Sequence, residues 1–193
     1  MINEYPLYEP DDDSFLLVEA LETEIQALKK TRVKLSTLNI LDMGAGSGVI
    51  GESALKKGLN VTFVDVNPVA IDFMNNKFSK KKNALVIQSN LFEKVPVKKF
   101  DLITFNTPYL PDDEDFHDLA LHGGPSGYEV TLRFLDDVLD YLADNGTLIF
   151  LISSLTHPDI VEAQLYKLNL DYKIVGRKKL FFEELLVYRV VRR

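Results

Sequence analysis

A short apolar run, Leu38 to Met43, ends in Gly44-Ala45-Gly46-Ser47-Gly48, and Val49 to Lys57 then carries the pattern of a helix. No other stretch of the chain restricts its fold as tightly. Glycine lets a backbone turn sharply and approach a ligand with no Cβ in the way. In an open parallel sheet, such a strand-to-helix turn lies at the carboxyl ends of the strands, where ligands bind. The same glycine spacing also matches a dinucleotide fingerprint, so it places a site without naming its ligand.

The rest of the chain repeats the strand-then-helix alternation. Val61 to Val64, Leu85 to Ile87, Phe100 to Phe105 and Gly146 to Ile152 read as further strands. Val69 to Phe78, Gly127 to Leu142 and Pro158 to Leu168 read as helices. Pro68 suits the first turn of the helix it opens. Alternation of this kind implies crossover units and a mostly parallel sheet with helices on both faces. Tyr172 to Val175 and Leu185 to Val191 follow each other with no long helix between them, which predicts an antiparallel C-terminal hairpin and seven strands in all. Before the first strand, Pro6 and Pro10 keep their surroundings extended, and a helix is expected to begin near Asp12 or Asp13. A length of 193 residues suits one domain, with residues 1–35 as an N-terminal extension and helix that help close the site.

Composition narrows the class. Apolar residues make up 46% and charged residues 26%, which are globular values. No apolar run is long enough to cross a bilayer. Met1-Ile2-Asn3-Glu4 has neither the basic start nor the apolar stretch of a signal peptide, and there is no cysteine. Together these predict a cytoplasmic protein without a disulfide framework or a Cys-based zinc site. The net charge of −7 argues against a chain that grips nucleic acid unaided. Lys77, Lys80, Lys81 and Lys82 read as a solvated helix end, and Arg177, Lys178 and Lys179 as a solvated turn.

Asp65 closes the second strand, about twenty residues after the glycine turn. A carboxylate there accepts hydrogen bonds from ribose hydroxyls, so NAD, FAD and S-adenosylmethionine all remain open. Asp65 could alternatively cap the helix that Pro68 begins. The choice falls at Phe105-Asn106-Thr107-Pro108-Tyr109, after the fourth strand. This segment resembles the Asn-Pro-Pro-Tyr motif of methyltransferases that act on amide or exocyclic base nitrogens. The lone pair of such a nitrogen is delocalised, so it must be oriented. The Asn106 side-chain oxygen can accept one N–H and the Thr107 backbone carbonyl the other. Tyr109 can stack on the flat acceptor. Pro108 restrains Thr107 to extended geometry.

With these motifs in hand, the chain resembles the HemK-like N5-glutamine methyltransferases, and in particular their short archaeal and eukaryotic branch. The resemblance rests on Tyr8 to Leu17, the glycine loop, Asp65-Val66-Asn67-Pro68, Asn106 to Tyr109, and Gly123-Gly124 followed by Gly127. It implies a Rossmann-like class I fold and S-adenosylmethionine as cofactor. It implies cofactor contacts from Ser14, Asp42, Gly44, Gly46, Gly48, Asp65 and Asn106. Asn90 and Leu91 follow the third strand, and the resemblance gives them the adenine, through a side-chain oxygen and a backbone N–H. The implied acceptor is a glutamine of a translation release factor, within a Gly-Gly-Gln motif. The implied partner is a small zinc-binding activator protein that covers a sheet edge. Leu85-Val86-Ile87 is a candidate for that edge, and burial under the chain's own helices is the other reading. Amino-methylation of adenine or guanine in RNA or DNA is the alternative activity, since a flipped base offers a similar planar nitrogen.

His117, His122 and His157 do not have metal-ligand spacing and read as surface or lid residues, with no metal expected. Asp112, Asp113, Glu114 and Asp115 read as an acidic loop able to attract a basic substrate segment.

Overall fold

Successive side chains of a strand point to opposite faces of its sheet, so each strand feeds two cores. In the computed structural model, which describes residues 7–31, 34–113 and 120–193, this rule sorts the apolar residues into two layers. On one face, Ile40, Val61, Phe63, Leu102 and Ile149 pack against Leu17, Leu21 and Ile25 of an N-terminal helix and against the two helices that follow it. On the other, Leu41, Met43, Ile103, Phe105 and Phe150 meet Phe134, Leu135, Val138, Val161 and Leu165 of two later helices. Each fully buried Leu or Ile contributes roughly 1.5–3 kcal/mol relative to exposure.

The helices are α1 (Asp12–Lys30), α2 (Val49–Lys56), α3 (Pro68–Phe78), α4 (Glu129–Tyr141) and α5 (Pro158–Lys167). The strands are β1 (Asn39–Met43), β2 (Asn60–Asp65), β3 (Ala84–Gln88), β4 (Phe100–Asn106), β5 (Leu142–Ser153), β6 (Leu170–Lys179) and β7 (Glu184–Arg192). They form one seven-stranded sheet in the order β3-β2-β1-β4-β5-β7-β6. The first five are parallel, and β7 runs antiparallel to both β5 and β6. This is the Rossmann-like class I arrangement with its antiparallel C-terminal hairpin. The order reverses at β1 and β4, so the crevice at their carboxyl ends is the expected ligand site.

Helix α1 starts at Asp12, with Asp11 as its cap and Asp12 and Asp13 in the first turn, where negative charge suits the helix dipole. Its middle is fixed by a partly buried ion pair. Glu24 takes Arg189 Nε at 2.7 Å and Arg189 Nη2 at 2.8 Å, and Thr147 Oγ1 donates to Glu24 at 2.9 Å. A two-pronged guanidinium–carboxylate contact sets orientation as well as distance. The anchor holds the Asp13 end of α1 over the sheet's ligand end.

Three differences from the sequence reading bear on the site or the sheet's edge. Helix α4 begins at Glu129, because Gly127 has a φ of +84°, outside the helical region. Strand β5 begins at Leu142 rather than Gly146, pairing with Phe100 ahead of a register shift. Arg177-Lys178-Lys179 is not a solvated turn. It extends β6, with Lys178 opposite Leu185 and Lys179 opposite Glu184. Strand β6 is the edge of the sheet, so backbone pairing with β7 carries it through residues with no apolar alternation. At the opposite edge, β3 leaves Leu85 49% exposed, while Val86 and Ile87 are only partly buried. Among the described residues, no helix is long and apolar enough to cross a membrane.

Candidate active site

The loop between β1 and α2 is built on positive-φ glycines. Gly44 has a φ of +59°, and a Cβ there would come within 3.0 Å of the Phe105 ring. A side chain at Gly44 would therefore be strained in backbone and crowded against β4. The loop closes through Ala45 N–H to Val64 O at 2.9 Å and Gly48 N–H to Ala45 O at 2.7 Å.

Asp65 holds this loop from the next strand. Its carboxylate accepts Gly46 N–H at 2.7 Å and Asn67 N–H at 2.8 Å. Asn67, not Asp65, caps α3, accepting Val69 N–H at 2.9 Å. That removes the capping alternative and leaves Asp65 on the cavity wall. Burial pushes its carboxyl above the ordinary range, against the pull of the backbone amides of Asn67, Gly46 and Val66.

Asp42 was expected to touch the cofactor, and its position differs. Leu41 and Met43 face one core, so Asp42 faces the other, beneath α2. It is fully buried and does not line the cavity. It accepts Gly51 N–H at 2.8 Å and the Thr104 hydroxyl at 2.9 Å. Gly48 likewise lies behind the wall, as the left-handed cap of α2. Both residues shape the loop from behind.

Burial pushes the Asp42 carboxyl up to about 7, and the nearby Asp65 charge adds to the shift while the Thr104 and Gly51 hydrogen bonds oppose it. The folded chain therefore holds this proton more tightly than the unfolded chain, whose carboxyl titrates near 3.8. The associated stability is fully present below pH ~4 and is lost as pH rises through ~7. Asp42→Asn can offer its oxygen to Gly51 and its amide to the Thr104 oxygen. In urea unfolding, the variant is expected to gain on the wild type between pH 4 and 7, with a constant difference above that. A difference independent of pH would refute the shift.

The Asn106 end of the cavity centres on Asp13, whose importance the sequence reading missed. Asp13 is buried. Its Oδ2 accepts the Tyr8 hydroxyl at 2.8 Å and Asn106 Nδ2 at 3.0 Å, and its Oδ1 accepts Ser14 N–H at 2.5 Å. A carboxylate can only accept, so it fixes which end of the Asn106 amide faces it. The Asn106 oxygen is thereby turned the other way. It is buried and, among the described residues, has no hydrogen-bond partner.

Thr107 and Pro108 are buried and line the same cavity. Thr107 N–H and Oγ1 both donate to Leu151 O, at 3.4 and 2.7 Å. This hydroxyl anchor to β5 substitutes for the stiffness that a proline would bring. Among the described residues, no hydrogen bond engages the Thr107 carbonyl. Burial raises the Tyr109 phenol, with added effect from Asp13, Glu183 and Asp11, so it stays neutral and offers a ring face.

These residues surround a cavity of about 350 Å³ that runs from Asp65 and the glycine loop to Asn106 and Tyr109. Ser14, Gly44, Gly46, Asp65, Asn90, Leu91 and all of Asn106 to Tyr109 line it. Leu91 is left-handed, with a φ of +47°, an unusual state for a bulky residue. Lys94 N–H to Ser89 Oγ at 2.9 Å and Glu93 N–H to Asn90 O at 3.2 Å brace its turn. The Asn90 side chain is already engaged: its amide donates to Glu93 Oε1 at 2.8 Å, and its oxygen accepts Arg133 Nη2 at 3.4 Å. Arg133, from α4, is a second wall residue that no local motif announced. His122 is a third. It is buried in the wall, so of the two expectations, surface or lid, the surface one does not hold for it, while His157 is exposed and His117 lies outside the described residues, as do Glu114 and Asp115.

The size and mixed polarity of the cavity suit a nucleoside-bearing ligand. A carboxylate at the end of β2, an apolar stretch through Ile50, Ala70 and Leu91, and an orphan acceptor at Asn106 match the ribose, adenine and methyl-bearing ends of S-adenosylmethionine. The fold and site thus define a class I S-adenosylmethionine-dependent methyltransferase. Comparison with known proteins gives the finer grouping. The model of the methyltransferase small domain matches residues 8–170. The "Putative protein N5-glutamine methyltransferase" of Methanocaldococcus jannaschii is 35% identical over 188 residues, covering 94% of this chain and 89% of that protein. The release factor glutamine methyltransferase of Rhodopirellula baltica is 34% identical over 73% of this chain and 55% of its own length. Among solved structures, the E. cuniculi Mtq2–Trm112 complex, described as methylating the termination factor eRF1, superposes with a TM-score of 0.75 at 26% identity, covering 98% of this chain and 99% of that one. The chain belongs to the methyltransferase small-domain family, within its N5-glutamine methyltransferases.

Proposed function

We propose that this enzyme methylates the side-chain amide nitrogen of a glutamine in a translation release factor. The observation that carries the reading is the buried oxygen of Asn106, which has no partner among the described residues. A buried orphan acceptor is costly, about 1–3 kcal/mol, unless a ligand's N–H completes it. A primary amide supplies such a donor. Asn106 Oδ1 takes one hydrogen and the Thr107 carbonyl the other, so the nitrogen lone pair is directed along the cavity. S-adenosylmethionine, when bound, supplies the electrophilic methyl group on a sulfonium. Tyr109, kept neutral, lines the cavity beside Asn106, where its ring can stack on the flat amide and exclude water from it. The names of the relatives support the choice of a release factor.

The same reading places a small zinc-binding activator protein along β3, whose outer edge is unpaired among the described residues and whose Leu85 is half exposed. It places the enzyme in the cytoplasm, which a cysteine-free chain suits.

The test is transfer of labelled methyl from S-adenosylmethionine to a purified release factor, with and without the activator, followed by digestion with protease or nuclease. Label is expected on the acceptor glutamine and is expected to vanish when that glutamine is replaced. Label retained on co-purifying RNA, with none on the protein, would sink the proposal in favour of base methylation.

A further inference from the structure

Two phenylalanines at the tip of the β6–β7 hairpin have no place in either core. Phe181 is 91% exposed and Phe182 84%, with their rings edge to face at 4.5 Å. Exposed apolar residues scattered singly are ordinary, but an adjacent aromatic pair on a braced turn is a different feature. The turn is closed by Leu180 N–H to Glu183 O at 2.8 Å. It is tied to the β5–α5 loop by Ser154 N–H to Glu184 O at 2.8 Å and Glu184 N–H to Ser154 Oγ at 2.9 Å. Leu155, next in that loop, is itself 46% exposed.

The topology carries this tip to the acceptor's side of the molecule. Lys179 and Glu184 are paired one step beyond Leu185, which lies opposite Ser153, at the carboxyl end of β5. That end of the sheet is the ligand end. The connection is also direct: Thr156 Oγ1 donates to Tyr109 O at 3.3 Å, Leu180 joins the apolar layer that includes Tyr109, and Glu183 acts electrostatically on the Tyr109 phenol. Two of the three positive charges at the tip's base are engaged, Lys178 with Asp12 at 2.5 Å and Arg177 with Glu184 at 2.8 Å, while Lys179 is exposed. Asp13 is buried and engaged by Tyr8, Asn106 and Ser14, so the carboxylates left at the mouth beside the aromatic pair are the exposed Asp11 and the partly buried Glu183.

We infer that Phe181 and Phe182 form a docking surface for the methyl-acceptor protein, which meets them with an apolar patch flanked by basic side chains. The inference rests on the protein-substrate reading above and adds to it a specificity element outside the cavity. A braced hairpin loses little freedom on binding, so its aromatic rings can act as anchors. The acidic mouth selects a basic flank, in keeping with a chain of net charge −7. The pair touches no reacting atom, so it acts on capture of the folded acceptor and not on transfer.

The experiment compares a folded, recombinant translation release factor with a short synthetic peptide spanning its acceptor glutamine, for wild type, Phe181→Ala, Phe182→Ala and the double variant. KM for the folded factor is expected to rise by ~10-fold or more in the double variant, as for loss of an interface anchor, with kcat unchanged. Peptide kcat/KM is expected to stay within about twofold, which also shows that the variant is folded. An unchanged KM for the folded factor, or equal losses on factor and peptide, overturns the docking surface. Two other outcomes overturn it as well: a wild-type dimer in sedimentation that the double variant turns into a monomer, or wild-type pelleting with phosphatidylserine vesicles that the variant loses. Failure of the wild type itself to methylate the factor would bring down the protein-substrate reading instead, before any variant is compared.

Discussion

Asn106→Ala is expected to lower kcat by about 10²- to 10³-fold, the scale seen when one preorganised hydrogen-bonding group is removed from a reacting centre. The alanine leaves the nitrogen with one acceptor, so its lone pair is no longer directed. A loss of less than tenfold in single-turnover methyl transfer would show that Asn106 does not hold the acceptor. Asp13→Asn probes the same device from behind. Both Asp13 oxygens accept, Oδ2 from Tyr8 and Asn106 and Oδ1 from Ser14 N–H. An asparagine must therefore set its NH₂ against a donor at one end or the other. Where the NH₂ faces Asn106, that amide loses the partner that fixes its orientation, and where it faces Ser14 N–H, the start of α1 that carries the contact is displaced; kcat is expected to fall by ~10-fold or more with little change in cofactor affinity. An Asp13→Asn enzyme with wild-type turnover would mean that the Asn106 amide is held by something else.

That pair illustrates what the sequence could and could not convey. The glycine turn, Asp65 and Asn106 to Tyr109 are each short, continuous segments at strand ends, and their chemistry can be read where they stand. Asp13 lies 93 positions from Asn106, and its role exists only once α1 folds across the sheet. Arg133 and His122 likewise reach the cavity from segments whose local pattern records only a helix and a turn. Asp42 is a different case, because strand alternation alone sets it on the face opposite Leu41 and Met43. The family resemblance drew it toward the cofactor, and the pleat of β1 turns it under α2. The basic end of β6 was hidden for a third reason. An edge strand needs no apolar alternation, and its length is set by the partner it pairs with.

Asp65 combines both kinds of role, and replacing it is expected to have the second large effect. Its two oxygens already accept Gly46 N–H and Asn67 N–H, which join the glycine loop to the start of α3. A carboxylate has about four lone-pair sites, so acceptor capacity remains for the ribose hydroxyls. Asp65→Ala is expected to weaken S-adenosylmethionine binding by ~10- to 100-fold, as hydrogen bonds to a charged group are lost. Asp65→Asn keeps the shape but turns an NH₂ toward one of the two loop amides. It is therefore expected to cost about 1–3 kcal/mol of stability in addition to affinity. Calorimetric titration with S-adenosylmethionine and urea unfolding of the ligand-free enzyme separate the two losses. If Asp65→Asn bound cofactor as tightly as the wild type, the ribose would have to be held elsewhere in the cavity. If it bound weakly but unfolded at the wild-type midpoint, the loop would not depend on this carboxylate, and Asp65 would serve the ligand alone.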